Sequence, residues 1–428
     1  SCSTRGSSEV KPRLVRLVAL LALTASIVGL VFWWRSDRRR IVAQFEILQD
    51  ELEKSGDEGT IDRLGHARGV AEIFVEGFVI LAQPYEGPYL FMKLNNAITD
   101  IRGIEVGHAQ DDDALTGCTA ILCRKGAVAG VDVRGGGPGT RETDLLNPIN
   151  LVQKVHAVVL AGGSAFGLDA ASGVMKYLDE KKIGFNTGAA RVPIVPAAIL
   201  YDLNLGRADV RPDSAMGYLA ASRATSSAPA EGNVGVGTGA SVGKMFGASL
   251  AMKAGVGTVS LHVGGGVIVG ALVAVNAFGD IVDPHSGQII TGLRSGRVGP
   301  LRVGGKSQFA DTLAMMKTPI GRGIVGFASR GNTVIGIVAT NAGLTKAQAT
   351  KVAQMAHDGL ARTIRPAHTM LDGDTIFALS VGTKKADVST VGAFAAEAMA
   401  EAIVRAARTA TSAGGLPGLM DSARENFL

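Results

Sequence analysis

Gly331-Asn332-Thr333 opens directly onto residues 334–339 (VIGIVA), a continuous apolar run that suits a strand buried on both faces. A hydroxyl at the mouth of such a strand is held in one place. Gly331 and Asn332 both tolerate backbone angles closed to most residues. This arrangement can press the Thr333 hydroxyl against the Asn332 carbonyl. An N-to-O acyl shift and hydrolysis of the ester would then split the chain at Asn332–Thr333. The freed α-amino group, whose unperturbed pKa is ~7.7–8, can accept the hydroxyl proton, the pairing used by N-terminal threonine nucleophiles. Further on, Asp372-Gly373-Asp374 precedes a second apolar run, 376–379. Two carboxylates straddling a glycine at a strand start would orient the amine protons of Thr333 and stabilise the ammonium. Taken alone, each pattern is also that of an ordinary turn: Asn-Thr before a strand, Asp-Gly between two runs.

Other chemistries fail on spacing. Residues 234–244 (VGVGTGASVGK) invite a phosphate-loop reading, but Thr238 stands where the first glycine belongs and Met245 where Ser or Thr must follow the lysine. As a dinucleotide loop they match only the looser form, with Gly235, Gly237 and Ala240. Gly162-Gly163-Ser164-Ala165-Phe166 is close to a nucleophile elbow, with Phe166 where glycine is needed. The seven histidines form no metal-ligand spacing, and His357 and His368 read as surface or structural residues. No metal or cofactor is expected.

The elements that must position these groups follow from apolar periodicity. Residues 155–161 (VHAVVLA) read as a buried strand. The glycines at 162 and 163 turn the chain into a helix reaching about Glu180, with Leu168, Ala171, Val174, Met175 and Leu178 on one face. Thr345 and Gln348 form a capping box for a helix with Val352, Met355, Ala356 and Leu360 as its apolar stripe. A last helix spans about 391–411 and stops at Gly414-Gly415-Leu416-Pro417. Strands alternating with helices predict an α/β or α+β domain over 92–428, and no linker divides it.

Glycine, at 57 of 428 residues, is in excess and aperiodic, which excludes collagen and suits tight turns and close backbone approach. Net charge is +5 and dispersed, with no basic block interleaved with aromatics, so nucleic-acid binding is not expected. Cys118 and Cys123, five apart in an apolar run, would face opposite sides of a strand, and with Cys2 they suggest neither a disulfide scaffold nor a zinc site. A reducing cytoplasm is the default for 92–428. Residues 1–91 are a separate problem. Residues 17–34 are mostly apolar, flanked by arginines and closed by Trp33 and Trp34, as a short membrane span would be. The competing reading is an upstream extension irrelevant to catalysis, since the first methionine, Met92, directly precedes the expected hydrolase domain.

Several segments together resemble the L-aminopeptidase/D-esterase family, which includes β-peptidyl aminopeptidases and nylon-oligomer hydrolases. They are 134–146 (RGGGPGTRETDLL), 160–171 (LAGGSAFGLDAA), 198–202 (AILYD), 232–244 (GNVGVGTGASVGK), Val275-Asn276, Gly331-Asn332-Thr333 and 370–375 (MLDGDT). They occur in the family's order and span nearly all of 95–405. The resemblance implies a layered αββα sandwich, like that of ornithine acetyltransferases, cut into two chains that stay associated, here 92–332 and 333–428. It implies Thr333 as nucleophile, Asn276 as oxyanion donor, Lys244 beside Thr333 favouring its unprotonated amine, and Tyr201 bonding near the nucleophile. Arg134 and Glu142 are expected to be structural. The family's Ser-type branch carries Ser and Glu where this chain has Asp372 and Asp374, which argues against β-peptide specificity and toward the nylon-oligomer branch.

The expected activity is hydrolysis of short peptides or amino-acid amides and esters through a threonine acyl-enzyme, by a homo-oligomer. The alternatives are an acyltransferase on the related fold and an uncleaved, non-enzymatic binding protein.

Overall fold

Long runs of small and β-branched residues build one nine-stranded sheet. The computed structural model describes residues 94–325 and 331–421; the expected membrane segment 17–34 lies outside them. Its strands are β1 (Glu105–Asp111), β2 (Thr116–Val133), β3 (Thr140–Arg141), β4 (Lys154–Ala161), β5 (Ala197–Ile199), β6 (Val256–Gly264), β7 (Val267–Asn276), β8 (Thr333–Ala342) and β9 (Thr375–Lys384). The order is β6-β7-β8-β9-β2-β4-β5-β3, with β1 on β2. Six α-helices lie among the described residues: α1 (Ala170–Glu180), α2 (Ser214–Ser222), α3 (Thr312–Met316), α4 (Pro319–Val325), α5 (Lys346–Thr363) and α6 (Val388–Arg408). These residues belong to the unit Lys93–Leu428.

Side-chain alternation along β2 explains the layering. Cys118, Ala120 and Leu122 point into a cluster with α1 and α2, whereas Ile121, Cys123, Ala127 and Ala129 point the other way. That second cluster also takes Ile335 and Ile337 from β8, Phe377 and Leu379 from β9, and Val158 and Leu160 from β4. The two halves of the sheet thus share one inner apolar layer. A third cluster seats α5 and α6 on the outer side of β7, β8 and β9. The result is the expected αββα sandwich, and the two cysteines lie on opposite faces of β2, both buried and free.

Glycine permits the closest contacts between layers. A Cβ on Gly130 would meet the Thr350 backbone nitrogen of α5 at 2.2 Å, and one on Gly257 the Ala402 carbonyl of α6 at 2.1 Å. The capping box on α5 is present in both directions, Thr345 Oγ1 accepting from Gln348 N and Gln348 Oε1 accepting from Thr345 N.

Three helix boundaries differ from expectation. The helix after Gly163 opens as a 3-10 segment, Ser164–Asp169, because Gly163 and Ser164 both take positive φ and set a tight first turn. Helix α6 begins at Val388, three residues earlier than its apolar stripe suggests, since Asp387 caps it by accepting from Thr390 N at 2.8 Å. It ends at Arg408, short of the expected 411.

Candidate active site

Strand β8 begins at Thr333 itself. It is central, antiparallel to β7 with Asn276 opposite Thr333, and parallel to β9 with Ile335 opposite Thr375. An isolated bridge pairs Asn332 with Asp372. These ladders bring together residues far apart in sequence. Asn332, Thr333, Asn276, Asp372 and Asp374 are each at most 3% exposed, so every polar group there needs a partner.

The Thr333 hydroxyl donates to the Asn332 carbonyl oxygen. The same carbonyl accepts from Gly373 N at 3.0 Å. Gly373 must be glycine here, since a Cβ would stand 2.5 Å from the Gly137 carbonyl oxygen and 3.0 Å from Thr333 Oγ1. The Asn332 carbonyl oxygen thus accepts from the Thr333 hydroxyl and from one backbone N–H.

Lys244 and Asn276 converge one residue upstream. Lys244 Nζ donates to the Gly331 carbonyl at 2.9 Å, to Asn276 Oδ1 at 2.7 Å and to the Asn276 carbonyl at 3.0 Å. Asn276 Nδ2 donates to the Gly331 carbonyl at 3.3 Å and to the Tyr201 carbonyl at 2.9 Å. Burial pulls the Lys244 ammonium down to about 7, with Asp372 and Asp202 acting against the fall and Lys253 adding to it.

Three expected contacts differ. The Tyr201 hydroxyl donates to Asn204 Oδ1 at 3.3 Å rather than to the nucleophile, and its ring lies over Gly331, where a Cβ would meet Tyr201 Cδ1 at 2.4 Å. The Asp372 carboxylate accepts from Thr369 N at 2.8 Å and Thr369 Oγ1 at 2.5 Å, closing its own loop. Asp374 Oδ1 accepts from Val334 N at 2.8 Å, and Oδ2 faces His368 Nδ1 at 2.7 Å. Both carboxylates are thus held by other neighbours in the uncut chain, where the Thr333 nitrogen they are expected to orient is still part of the Asn332–Thr333 peptide. Burial, and then the Asp374 charge, push the Asp372 carboxyl above the usual range.

Arg134 bonds to Asp132 at 2.7 Å and Glu142 Oε2 accepts from Val195 N at 3.3 Å, both structural contacts. His368 was legible only as a surface or structural residue; no spacing signal ties a histidine to a carboxylate six positions on. Asp202, inside a recognised segment but without an assigned role, accepts from Gly163 N and Thr116 Oγ1, both at 2.7 Å. An open cleft reaches this cluster, lined by Tyr201, Asn204, Ser241, Lys244, Gly247 and Gly331 among others.

Residues 96–420 match the model of peptidase family S58. The chain belongs to that family. An uncharacterized aminopeptidase of Mycobacterium tuberculosis is 43% identical over 349 residues, covering 76% of this chain and 97% of that protein. The 6-aminohexanoate-oligomer endohydrolase of Paenarthrobacter ureafaciens is 30% identical over 322 residues, covering 72% and 85%. Among solved structures, a Burkholderia sp. beta-aminopeptidase matches with TM-score 0.51 and 26% identity, over 77% of this chain and 94% of that one. The L-aminopeptidase D-Ala-esterase/amidase of Ochrobactrum anthropi, described as a variant of the Ntn hydrolase fold, matches with TM-score 0.56 and 21% identity, over 75% and 88%. As an S58 member the chain is a hydrolase, an autoprocessed aminopeptidase or amidase, and peptides are its substrate class; the acyltransferase alternative is not favoured. No helix among the described residues is long and apolar enough to cross a membrane.

Proposed function

We propose that the chain cuts its own Asn332–Thr333 bond and then uses Thr333 as an N-terminal nucleophile on short peptides and amino-acid amides or esters. The contact of the Thr333 hydroxyl with the Asn332 carbonyl carries this reading. In the self-cleaving step Oγ1 attacks the Asn332 carbonyl carbon. The C–N bond breaks, the hydroxyl proton goes to the departing nitrogen, and an ester remains. The Gly373 N–H, already on that oxygen, stabilises the negative charge that develops there. Water hydrolyses the ester, leaving an Asn332 carboxylate and a free Thr333 amine.

In turnover the Thr333 amine takes the hydroxyl proton as Oγ1 attacks a substrate carbonyl. Lys244 and Asn276 converge on the Gly331 carbonyl, and this donor pair receives the substrate oxygen once the cut releases residues 331–332. Burial pulls the Lys244 amine down to about 7, and its N–H groups can donate to that oxygen in either protonation state. Asp372 and Asp374 act by holding the loop and the strand start, and the Tyr201 ring shapes the wall over the cut. The similarity to 6-aminohexanoate-oligomer endohydrolases supports including linear amide oligomers in a substrate panel with aminoacyl amides and β-peptides. The reading extends to a homo-oligomer of cleaved protomers in a reducing compartment. Light scattering of the native protein checks the assembly.

Terminal sequencing and intact-mass analysis test the core of this reading. A new terminus beginning Thr-Val-Ile-Gly is expected. A single uncut chain that nonetheless hydrolyses amides would overturn it.

A further inference from the structure

Strand β8 is anchored unevenly at its start. On the β7 side the ladder runs to Thr333 opposite Asn276. On the β9 side the continuous ladder begins only at Ile335 opposite Thr375. Between that pair and the isolated Asn332–Asp372 bridge, the Val334 N–H donates to a side chain, Asp374 Oδ1, at 2.8 Å. Scission removes the upstream peptide that tethers Thr333. From then on, the N–H of the nucleophile's own neighbour rests on that side chain.

Asp374 is itself clamped by His368. The carboxylate is 2% exposed, and its Oδ2 accepts from His368 N at 3.1 Å and from the His368 ring at Nδ1, 2.7 Å away. The contact assigns the proton to Nδ1. Among the described residues His368 Nε2 has no hydrogen-bond partner, so Asp374 is what orients the ring. The ring is backed edge-on by His357, centroids 4.8 Å apart, and His357 Nε2 is in turn fixed on the Asp132 carbonyl at 3.1 Å. His368 adopts φ +56°, a left-handed conformation uncommon for a non-glycine residue, and the surrounding bonds maintain it.

We propose that His368 is a positioning residue for catalysis: through Asp374 it fixes the Val334 amide, and so the Thr333 nucleophile, after self-cleavage. The inference rests on Thr333 being the nucleophile. It assigns Asp374 the task of aligning the strand start, and it makes a histidine outside the Asp-Gly-Asp motif necessary for that task. Loss of the ring removes one of three donors on Asp374 and leaves only the backbone N–H groups of His368 and Val334, and this weaker hold loosens Thr333 without touching the donors that bind a substrate carbonyl. The signature is therefore a fall in kcat at constant KM.

The experiment compares the wild type, His368→Ala and His368→Asn as full chains, using an aminoacyl p-nitroanilide and hydrogen exchange of the Val334 amide in the cleaved form. His368→Ala is expected to lose tenfold or more in kcat with KM within twofold, and to exchange Val334 faster. His368→Asn, which keeps a side-chain N–H for Asp374, is expected to recover kcat to within about threefold of wild type. The proposal is overturned if His368→Ala keeps its kcat, or if the two variants lose kcat equally. If His368→Ala does not fold, His368→Asn decides alone: near-wild-type kcat with Val334 protected supports the clamp, and a tenfold loss rejects it. Wild-type material lacking a Thr333 terminus would instead defeat the nucleophile assignment, which separates the two failures.

Discussion

At the scale of single residues the site divides into a reacting group, donors and holders. Thr333→Ala removes the hydroxyl that lies on the Asn332 carbonyl, so both chain scission and turnover should vanish while the fold persists; intact mass and an amidase assay check this. Asn276→Ala deletes one of two donors converging on the Gly331 carbonyl, and kcat of the cleaved enzyme should fall roughly 10²–10³-fold, the usual worth of a preorganised oxyanion donor. Lys253 gives a pH prediction independent of catalysis. It is fully buried, its ammonium donating to the Ala240 and Ala254 carbonyls at 2.7 and 3.0 Å, and burial pulls it down to about 7. Between about 7 and the unfolded value of 10.5 the unfolded chain binds more protons than the folded one, so stability rises with pH across that window. The slope is on the order of 1 kcal/mol per pH unit for one such lysine. Denaturant titrations at pH 7 and 9 should show this rise, and Lys253→Met should reduce it to the share of Lys244, which burial also pulls down to about 7. Type and spacing marked Thr333 and the Asp-Gly-Asp pair only as patterns that ordinary turns share, and the family resemblance singled them out. The bonds they make were not legible: Asp372 closes on Thr369 and Asp374 on His368, contacts that depend on how loop 366–374 is folded back.

Elements were legible where the local code is strong. The strand after Thr333 is one uninterrupted apolar run, and α5 announces itself by Thr345 and Gln348 three residues apart. Thr345→Ala should therefore cost about 1 kcal/mol in denaturant unfolding, the typical worth of an N-cap. Pairing between elements was not legible. Nothing local in β2 says that it runs through both layers, or that Gly130 lies under α5. Gly130→Ala should destabilise by ~1–3 kcal/mol, because the added carbon meets the Thr350 backbone nitrogen at 2.2 Å and a helix backbone cannot give way like a side chain. The start of α6 was misplaced for a related reason: its cap, Asp387, precedes the apolar stripe and leaves no periodic signal of its own.

At the scale of the molecule, the proposed cut falls in the middle of a sheet. The 96 residues from 333 onward contribute β8, β9, α5 and α6, with β8 hydrogen-bonded to β7 and β9 to β2 of the other piece. The pieces should co-migrate on native size exclusion and separate only in denaturant, giving two bands on a denaturing gel. The amino-acid sequence alone determined the alternation of buried strands and capped helices, the glycine positions that allow tight layers, and a threonine poised behind an Asn at a strand mouth, since each depends on neighbours within a few positions. Only the tertiary structure decided that Asn276 lies opposite Thr333, that Lys244 reaches Gly331 and that His368 grips Asp374. Those contacts join residues up to 87 positions apart, and their geometry is set by sheet register and packing, which no short stretch of chain encodes.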